Sequence, residues 1–190
     1  MREEIYACST SAFTNLPIYG AFDLHSLPGT AVKTRNALLE HDTRYLQVIP
    51  YCVVTCGDFV LMYQRSGTEA RLHDLWSIGF GGHWNVKHGD VVLRSALIEL
   101  EEELGLDPEE TSRNLDYLKV GIYDATTPVG AVHLGVLMRV NLQSQEQVKL
   151  PSEEIKHHAW VKKTELFEAE ATLENWSKIA LQVLPALGVI

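Results

Sequence analysis

The sequence contains no long hydrophobic run and only three cysteines. None of its apolar stretches approaches the roughly 20 residues that a membrane-spanning helix needs. The opening stretch MREEIYACST does not contain the apolar core of a signal peptide. An odd number of cysteines does not suggest a disulfide framework. These absences predict a cytoplasmic protein with no membrane partner.

Positive charge is scarce as well. The chain has 16 Lys and Arg against 25 Asp and Glu, a formal net charge of −9. Binding to a nucleic-acid backbone depends on clustered Lys and Arg, so we expect no nucleic-acid partner. An acidic protein that binds a polyphosphate needs cations between the two, and divalent metal ions supply them directly.

The chain is long enough to bury one proper core, and its middle is rich in strand signals. The stretch RYLQVIPYCVVTC is followed by the turn Gly57-Asp58 and then by FVLMYQR, which predicts a β-hairpin. Further strands are predicted near 117–123 and 132–141, and apolar residues recur at helical spacing over 173–184. Strands interleaved with separated helices predict an α/β (α+β) fold, a mixed β-sheet sandwiched between helices.

Residues 1–44 have weaker periodicity and are predicted to form an N-terminal arm packed on a main domain of residues 45–190. Good helix formers favour a short helix over about 33–40. The arm could simply cover the core, help form a substrate pocket, or make a homodimer contact.

The most informative stretch runs from Gly79 to Leu106. Its glycine-rich start, Gly79-Phe80-Gly81-Gly82, lacks side chains that would keep backbone N–H groups away from a phosphate. A helix is predicted to follow, with Asp90 as its N-cap and Gly105 as its C-terminal stop.

This helix carries four glutamates near its end. At about 100° per residue, three of them fall in one arc beside the apolar stripe, and Glu101 falls on the solvent side. Carboxylates at these spacings repel one another unless a cation lies between them, and Mg²⁺ or Mn²⁺ prefers such oxygen ligands. The alternative is a solvated acidic face. The clustered glutamates are Glu99, Glu102 and Glu103, and the predicted buried stripe is Leu93, Leu97, Leu100 and Leu104.

The stretch resembles the signature box of the Nudix hydrolase family. The run ELEEELGL, from Glu99 to Leu106, matches the second half of that box at every fixed position except its arginine. Asp90 lies where the first glutamate of the box belongs. The stretch SIGFGGHWN is similar to the corresponding stretch of a Nudix subgroup that has GGH in the loop. The resemblance covers about residues 45–170.

The resemblance implies a Nudix-like fold and a hydrolase of a phosphoanhydride bond in a nucleoside-diphosphate-linked or similar diphosphate substrate. It implies Mg²⁺ or Mn²⁺ as cofactor. The catalytic and metal-binding residues would be Glu99, Glu102 and Glu103, with Gly82 adding a backbone contact to the metal. Gly81 would contact the substrate.

Three departures separate the chain from the family pattern. The loop from Gly82 to Asp90 is two residues longer than the standard spacing, and Asp90 replaces a glutamate. Ile98 stands where the family has an arginine that orients the box carboxylates, and isoleucine donates no hydrogen bond. Because of Ile98, a Nudix-fold nucleotide-binding or regulatory module without turnover is the alternative to a hydrolase.

Several other residues are candidates for substrate contacts. His83 could touch phosphate or make a structural hydrogen bond, and Arg65 and Lys87 flank the box. Glu153 and Glu154 are candidates for an extra acid that accepts a proton from the attacking water, although a solvated turn is the alternative.

Overall fold

A large mixed sheet organises the chain. The structure, a computed structural model, describes residues 3–65, 75–150 and 155–190. The strands are β1 (Glu4–Ser9), β2 (Tyr19–Asp23), β3 (Thr30–Thr34), β4 (Tyr45–Cys56), β5 (Phe59–Arg65), β6 (Trp76–Ser77), β7 (Gly79–Phe80), β8 (Leu115–Asp124), β9 (His133–Leu142) and β10 (Ile155–Lys162). The helices are α1 (Val92–Leu104), α2 (Pro108–Ser112) and α3 (Asn175–Val183).

The strand order is β10-β5-β4-β9-β8-β2. β4 and β9 run parallel at the centre, and their neighbours pair antiparallel, which makes the sheet mixed. The predicted hairpin is confirmed, because β4 and β5 pair across a turn in which Gly57 has a φ of +53°. That φ suits glycine, which has no Cβ to clash.

Two apolar cores lie on the two faces of this sheet. Side chains alternate along β4, so Cys52 and Val54 join the core that contains Leu100 of α1. Val53 joins the other core, with Ile179 of α3. The predicted α/β (α+β) fold, a mixed sheet between helices, is therefore confirmed.

The N-terminal residues differ from the prediction. A helix over 33–40 is wrong, because β3 occupies Thr30–Thr34 and only a short 3-10 turn follows at Leu39–His41. β1 pairs with β4 and β3, and β2 pairs with β8. Propensity favoured helix there, but pairing with existing strand edges decided the conformation.

The predicted C-terminal stop of α1 is confirmed. Gly105 ends α1 in the left-handed conformation, at φ 64°. Asp107 caps α2 by accepting a hydrogen bond from the Glu110 N–H at 2.8 Å. No helix among the described residues is long and apolar enough to span a membrane.

Candidate active site

The glycine loop is fixed by close backbone contacts. A Cβ at Gly79 would lie 2.0 Å from the ring of Tyr51, and one at Gly81 would lie 2.0 Å from the carbonyl oxygen of Pro50. Gly81 also has a φ of +143°, which L side chains rarely adopt. Glycine is therefore required at both positions for steric reasons, and the loop lies directly against β4.

Trp84 anchors the far side of this loop. Its ring is 5% exposed, and it stacks on Tyr6 of β1 with ring centroids 4.1 Å apart. Its indole N–H donates to the carbonyl of Gly89 at 2.9 Å. Trp84 is thus part of the core, and it holds the segment between the loop and α1.

The start of α1 contradicts one prediction. Asp90 is exposed, and the N-cap is Val91, which makes no side-chain capping bond. The helix begins two residues after Asp90, at Val92, so the carboxylate of Asp90 is too early in the chain to serve as the cap.

Two of the glutamates face inward. A Cβ at Gly82 would lie 2.5 Å from Oε2 of Glu99, so this carboxylate rests directly on the glycine loop. The backbone N–H of Gly81 donates to Oε2 of Glu103 at 3.0 Å. The loop therefore contacts both carboxylates: Gly82 leaves room for that of Glu99, and the N–H of Gly81 binds that of Glu103.

The buried stripe of α1 is rotated from its predicted position. Ser95 and Ala96 are fully buried, whereas Leu97 is only half-buried. With Glu99 at zero, the buried residues extend from about −40° at Ser95 to about 140° at Leu104. Glu99 and Glu103 lie within this arc and are half-buried, while Glu101 and Glu102 are exposed.

A pair of histidines borders the same loop. Nε2 of His83 and Nε2 of His133 are 3.1 Å apart, and Nδ1 of His133 is 2.7 Å from the carbonyl oxygen of Val129. A carbonyl only accepts, so Nδ1 of His133 carries a proton, and the Nε2 of its neutral ring accepts from His83. His83 then has a lone pair on Nδ1.

The environment keeps His83 neutral. Burial, followed by the positive charge of Arg35 and the neighbouring His133, lowers the pKa of His83 to about 3. A neutral imidazole with a free lone pair accepts hydrogen bonds and gives a phosphate no positive charge. The structural hydrogen bond considered for His83 is therefore present, and a charge contact from it to phosphate is not available near neutral pH.

His88 is a neighbour of Glu99 that sequence reasoning missed. Its Nδ1 is 2.9 Å from the hydroxyl of Ser95 and 4.0 Å from Oε1 of Glu99. Burial lowers the pKa of His88, so at neutral pH the ring contacts Glu99 mainly as an uncharged group. Its spacing in the sequence gave no signal, because the turn at Val86–His88 decides where the ring lies.

A cavity of about 760 Å³ connects these groups. Among the described residues that line it, seven are acidic, whereas Arg35 is the one arginine or lysine. Apolar residues also line it, including Ile49, Val129 and Trp176. The acidic lining residues are Glu99, Glu102 and Glu103 of the box together with Glu3, Glu40, Asp124 and Glu174.

The other predicted site residues lie outside this arrangement or outside the description. Lys87 is exposed in the turn before α1 and does not line the cavity. Arg65 ends β5, but its side chain is outside the described residues, and so are Glu153 and Glu154. Ile98 is half-buried on α1.

The chemistry of the donor set suits a hard divalent cation. Carboxylate oxygens are ligands that Mg²⁺ and Mn²⁺ prefer. Within residues 3–65, 75–150 and 155–190, no three His, Cys, Asp or Glu side chains already converge as an ion cage. Instead, Glu103 is held by the N–H of Gly81 and Glu99 rests against Gly82.

Comparisons with known proteins agree with this architecture. A family model of the NUDIX domain matches residues 47–184. Protein YmaB of Bacillus subtilis (strain 168) is 36% identical over 159 residues, which cover 79% of this chain and 76% of YmaB. The match to the family begins within β4, so the N-terminal arm lies outside it.

Solved structures share the fold. The candidate Nudix hydrolase Tm1382 superposes with a TM-score of 0.71 at 26% identity, covering 97% of this chain and 100% of that one. A bifunctional NMN adenylyltransferase/ADP ribose pyrophosphatase from Francisella tularensis, complexed with AMP and a Mn ion, gives a TM-score of 0.59. The two sequences are 15% identical, and the match covers 74% of this chain and 41% of the Francisella chain. At this identity the likeness shows the fold alone.

The mixed sheet between helices, with an acidic helix behind a glycine loop, defines a Nudix-type fold. The chain belongs to the Nudix hydrolase family, whose members are generally metal-dependent pyrophosphohydrolases.

Proposed function

We propose that this protein hydrolyses a phosphoanhydride bond in a nucleoside-diphosphate-linked, or similar diphosphate, substrate with Mg²⁺ or Mn²⁺. The observation that carries the proposal is the contact between α1 and the glycine loop. Two box carboxylates reach this loop at the edge of a cavity of about 760 Å³, a size suited to a nucleotide-like ligand.

Glu99, Glu102 and Glu103, with a backbone contact from Gly82, would hold the metal ions. When bound, such ions neutralise charge on a diphosphate and lower the pKa of a coordinated water. Among the residues of the chain, Glu99 is a candidate to accept the proton of that water. Glu153 and Glu154 remain the alternative acids for this step.

The rest of the cavity would hold the remainder of the substrate. We propose that Ile49, Val129 and Trp176 contact its organic part, because apolar and aromatic walls recognise bases and sugars by contact area. His83 presents an acceptor lone pair and would bind a hydroxyl better than a phosphate oxygen. Gly81 would contact the substrate through its backbone, and Arg65 and Lys87 remain proposed substrate contacts on the flanks of the box.

Hydrolysis of a substrate panel tests this function. With Mg²⁺ or Mn²⁺ present, we expect cleavage of at least one nucleoside diphosphate derivative, such as ADP-ribose, and loss of cleavage on adding EDTA. Product chromatography identifies which bond breaks. Cleavage that persists without divalent ions would contradict the metal role. Binding of the panel without any cleavage would instead support the nucleotide-binding module.

Ile98 offers a second test, because it stands where the family has arginine. At about 100° per residue, position 98 lies one turn before Glu102 on the same side of α1. Ile98→Arg is expected to raise the hydrolysis rate or lower the half-saturating metal concentration by roughly 2-fold, since one such helix pair contributes about 0.3–0.5 kcal/mol. Ile98→Met, which adds no charge, is the matched control. If Arg and Met variants behave alike, another residue already compensates for the missing arginine.

A further inference from the structure

We propose that Arg35, on the N-terminal arm, binds a phosphate oxygen of the diphosphate substrate. This inference rests on the proposed function, and it adds a positioning contact that the family box does not contain. It assigns the substrate phosphate a second anchor, supplied by residues that lie before the matched family region.

Arg35 is built into the wall of the cavity. It follows β3, and its backbone N–H donates to the carbonyl of Glu3 at 2.9 Å. Its Nε donates to Oε1 of Glu40 and its Nη1 donates to Oε2 of Glu3, both at 3.0 Å. Two carboxylates thus fix the orientation of the guanidinium.

Both carboxylates are themselves tied to the site. Glu3 also accepts from Nδ2 of Asn85, just after the glycine loop, at 3.2 Å. Glu40 accepts from Nε2 of Gln47 on β4 at 3.4 Å. Gln47 is fully buried beside His133 in the β4–β9 pairing. Arg35 is therefore oriented by both the loop and the sheet.

The guanidinium keeps donors for a ligand. Of its five N–H groups, one on Nε and one on Nη1 are used within the described part of the chain, which leaves three. The side chain is 38% exposed, so these groups are accessible from solvent. Arginine N–H groups fit the spacing of phosphate oxygens, and such charged hydrogen bonds are among the stronger ones.

The positive charge of Arg35 would attract the substrate phosphate. The described lining of the cavity contains seven acidic residues, and Arg35 is the one permanently charged cation in that lining. Its positive charge also reaches the glycine loop, where it helps to lower the pKa of His83. For a diphosphate bound at the box glutamates, Arg35 is therefore the one permanent cation that the described cavity lining offers.

Arg44 is a matched control on the same arm. It also pairs with a carboxylate, Asp42, at 2.7 Å, but its side chain is 80% exposed and does not line the cavity. Replacing Arg35 with glutamine removes its two ion pairs, and replacing Arg44 removes one. Ion pairs that are exposed to solvent contribute little to stability. The two variants therefore separate loss of an ion pair from loss of a substrate contact.

The test combines kinetics with a binding measurement that needs no turnover. For the best substrate of the panel, Arg35→Gln is expected to raise KM by about 10-fold or more, with a smaller change in kcat, as for loss of a charged hydrogen bond. Calorimetry with methylene diphosphonate and Mg²⁺ is expected to show a similar loss of affinity. Arg44→Gln is expected to match the wild type within about 2-fold.

The outcomes distinguish this inference from the proposed function. If the panel shows no turnover but Arg35→Gln weakens diphosphonate binding about 10-fold, the hydrolase proposal fails and the role of Arg35 stands. If turnover occurs and Arg35→Gln matches Arg44→Gln in KM and affinity, the role of Arg35 is overturned. It is also overturned if the wild type binds no diphosphonate.

Urea denaturation shows whether each variant is folded. If Arg35→Gln does not fold, it is replaced by Arg35→Lys, which keeps the charge but loses the forked N–H groups of the guanidinium. A KM and diphosphonate affinity equal to those of the wild type for Arg35→Lys would then overturn the proposed contact of the guanidinium with phosphate, because lysine does not reproduce the forked N–H groups of arginine.

Discussion

Glu103→Gln is expected to lower the rate of hydrolysis by at least ~100-fold, and Glu102→Gln by a similar factor. The substitution keeps size and hydrogen-bonding capacity but removes the negative charge that a divalent cation needs. For Glu103 the amide also has to replace the acceptor now bonded to the N–H of Gly81. The measurement is kcat/KM on the best panel substrate at saturating Mg²⁺.

Glu101→Gln is the control for this series. Glu101 is exposed on the same helix, about 200° around from Glu99, and it does not line the cavity. Its substitution removes the same charge from α1 and should leave kcat/KM within about 2-fold. Equal, small effects at all three positions would mean that the acidic face is solvated and has no catalytic role.

Gly82→Ala is expected to lower activity by up to ~100-fold while leaving the fold nearly as stable. The new Cβ would lie 2.5 Å from Oε2 of Glu99. Because a carboxylate at the end of a flexible side chain can rotate away, we expect the free energy of unfolding to change by less than about 1 kcal/mol. The displaced carboxylate would no longer be placed for metal binding, so the half-saturating Mn²⁺ concentration should rise.

Gly81→Ala provides the contrast at the neighbouring position. There the new Cβ would lie 2.0 Å from the backbone oxygen of Pro50, at a φ of +143°. Backbone cannot rotate away, so this variant should lose roughly 2–4 kcal/mol of stability from strain and overpacking. Equal activity of Gly82→Ala and the wild type would show that the position of Glu99 against the loop does not matter.

The sequence predicted the elements that are locally encoded. The hairpin of β4 and β5 is rich in β-branched and aromatic residues and turns at Gly57, and α1 ends where Gly105 allows a left-handed residue. The exposure of Glu101 also follows from helical spacing alone. Each of these features depends on residues that are neighbours in the chain.

The prediction was less accurate where distant residues decide the structure. Helical spacing placed Leu97 in the buried stripe, but the glycine loop leaves room for carboxylates, so α1 turns Glu99 and Glu103 inward. His133 is 50 residues from its partner His83, and nothing in the local sequence of either marks the pair.

The N-terminal arm shows the same limit. Its strands have little internal periodicity and form because edges of other strands are available to them. No local pattern in the sequence marks Arg35 as a cavity residue. Its place in the cavity depends on ion pairs with Glu3 and Glu40, which lie elsewhere in the chain.

Anomalous diffraction from crystals soaked in Mn²⁺ tests the central claim most directly. We predict an anomalous peak at the carboxylates of Glu99, Glu102 and Glu103, next to Gly82. The same crystals of Glu103→Gln should show a weaker peak or none. A wild-type peak at another site, with the α1 carboxylates still resting on the glycine loop, would contradict the assignment of this helix as the metal site.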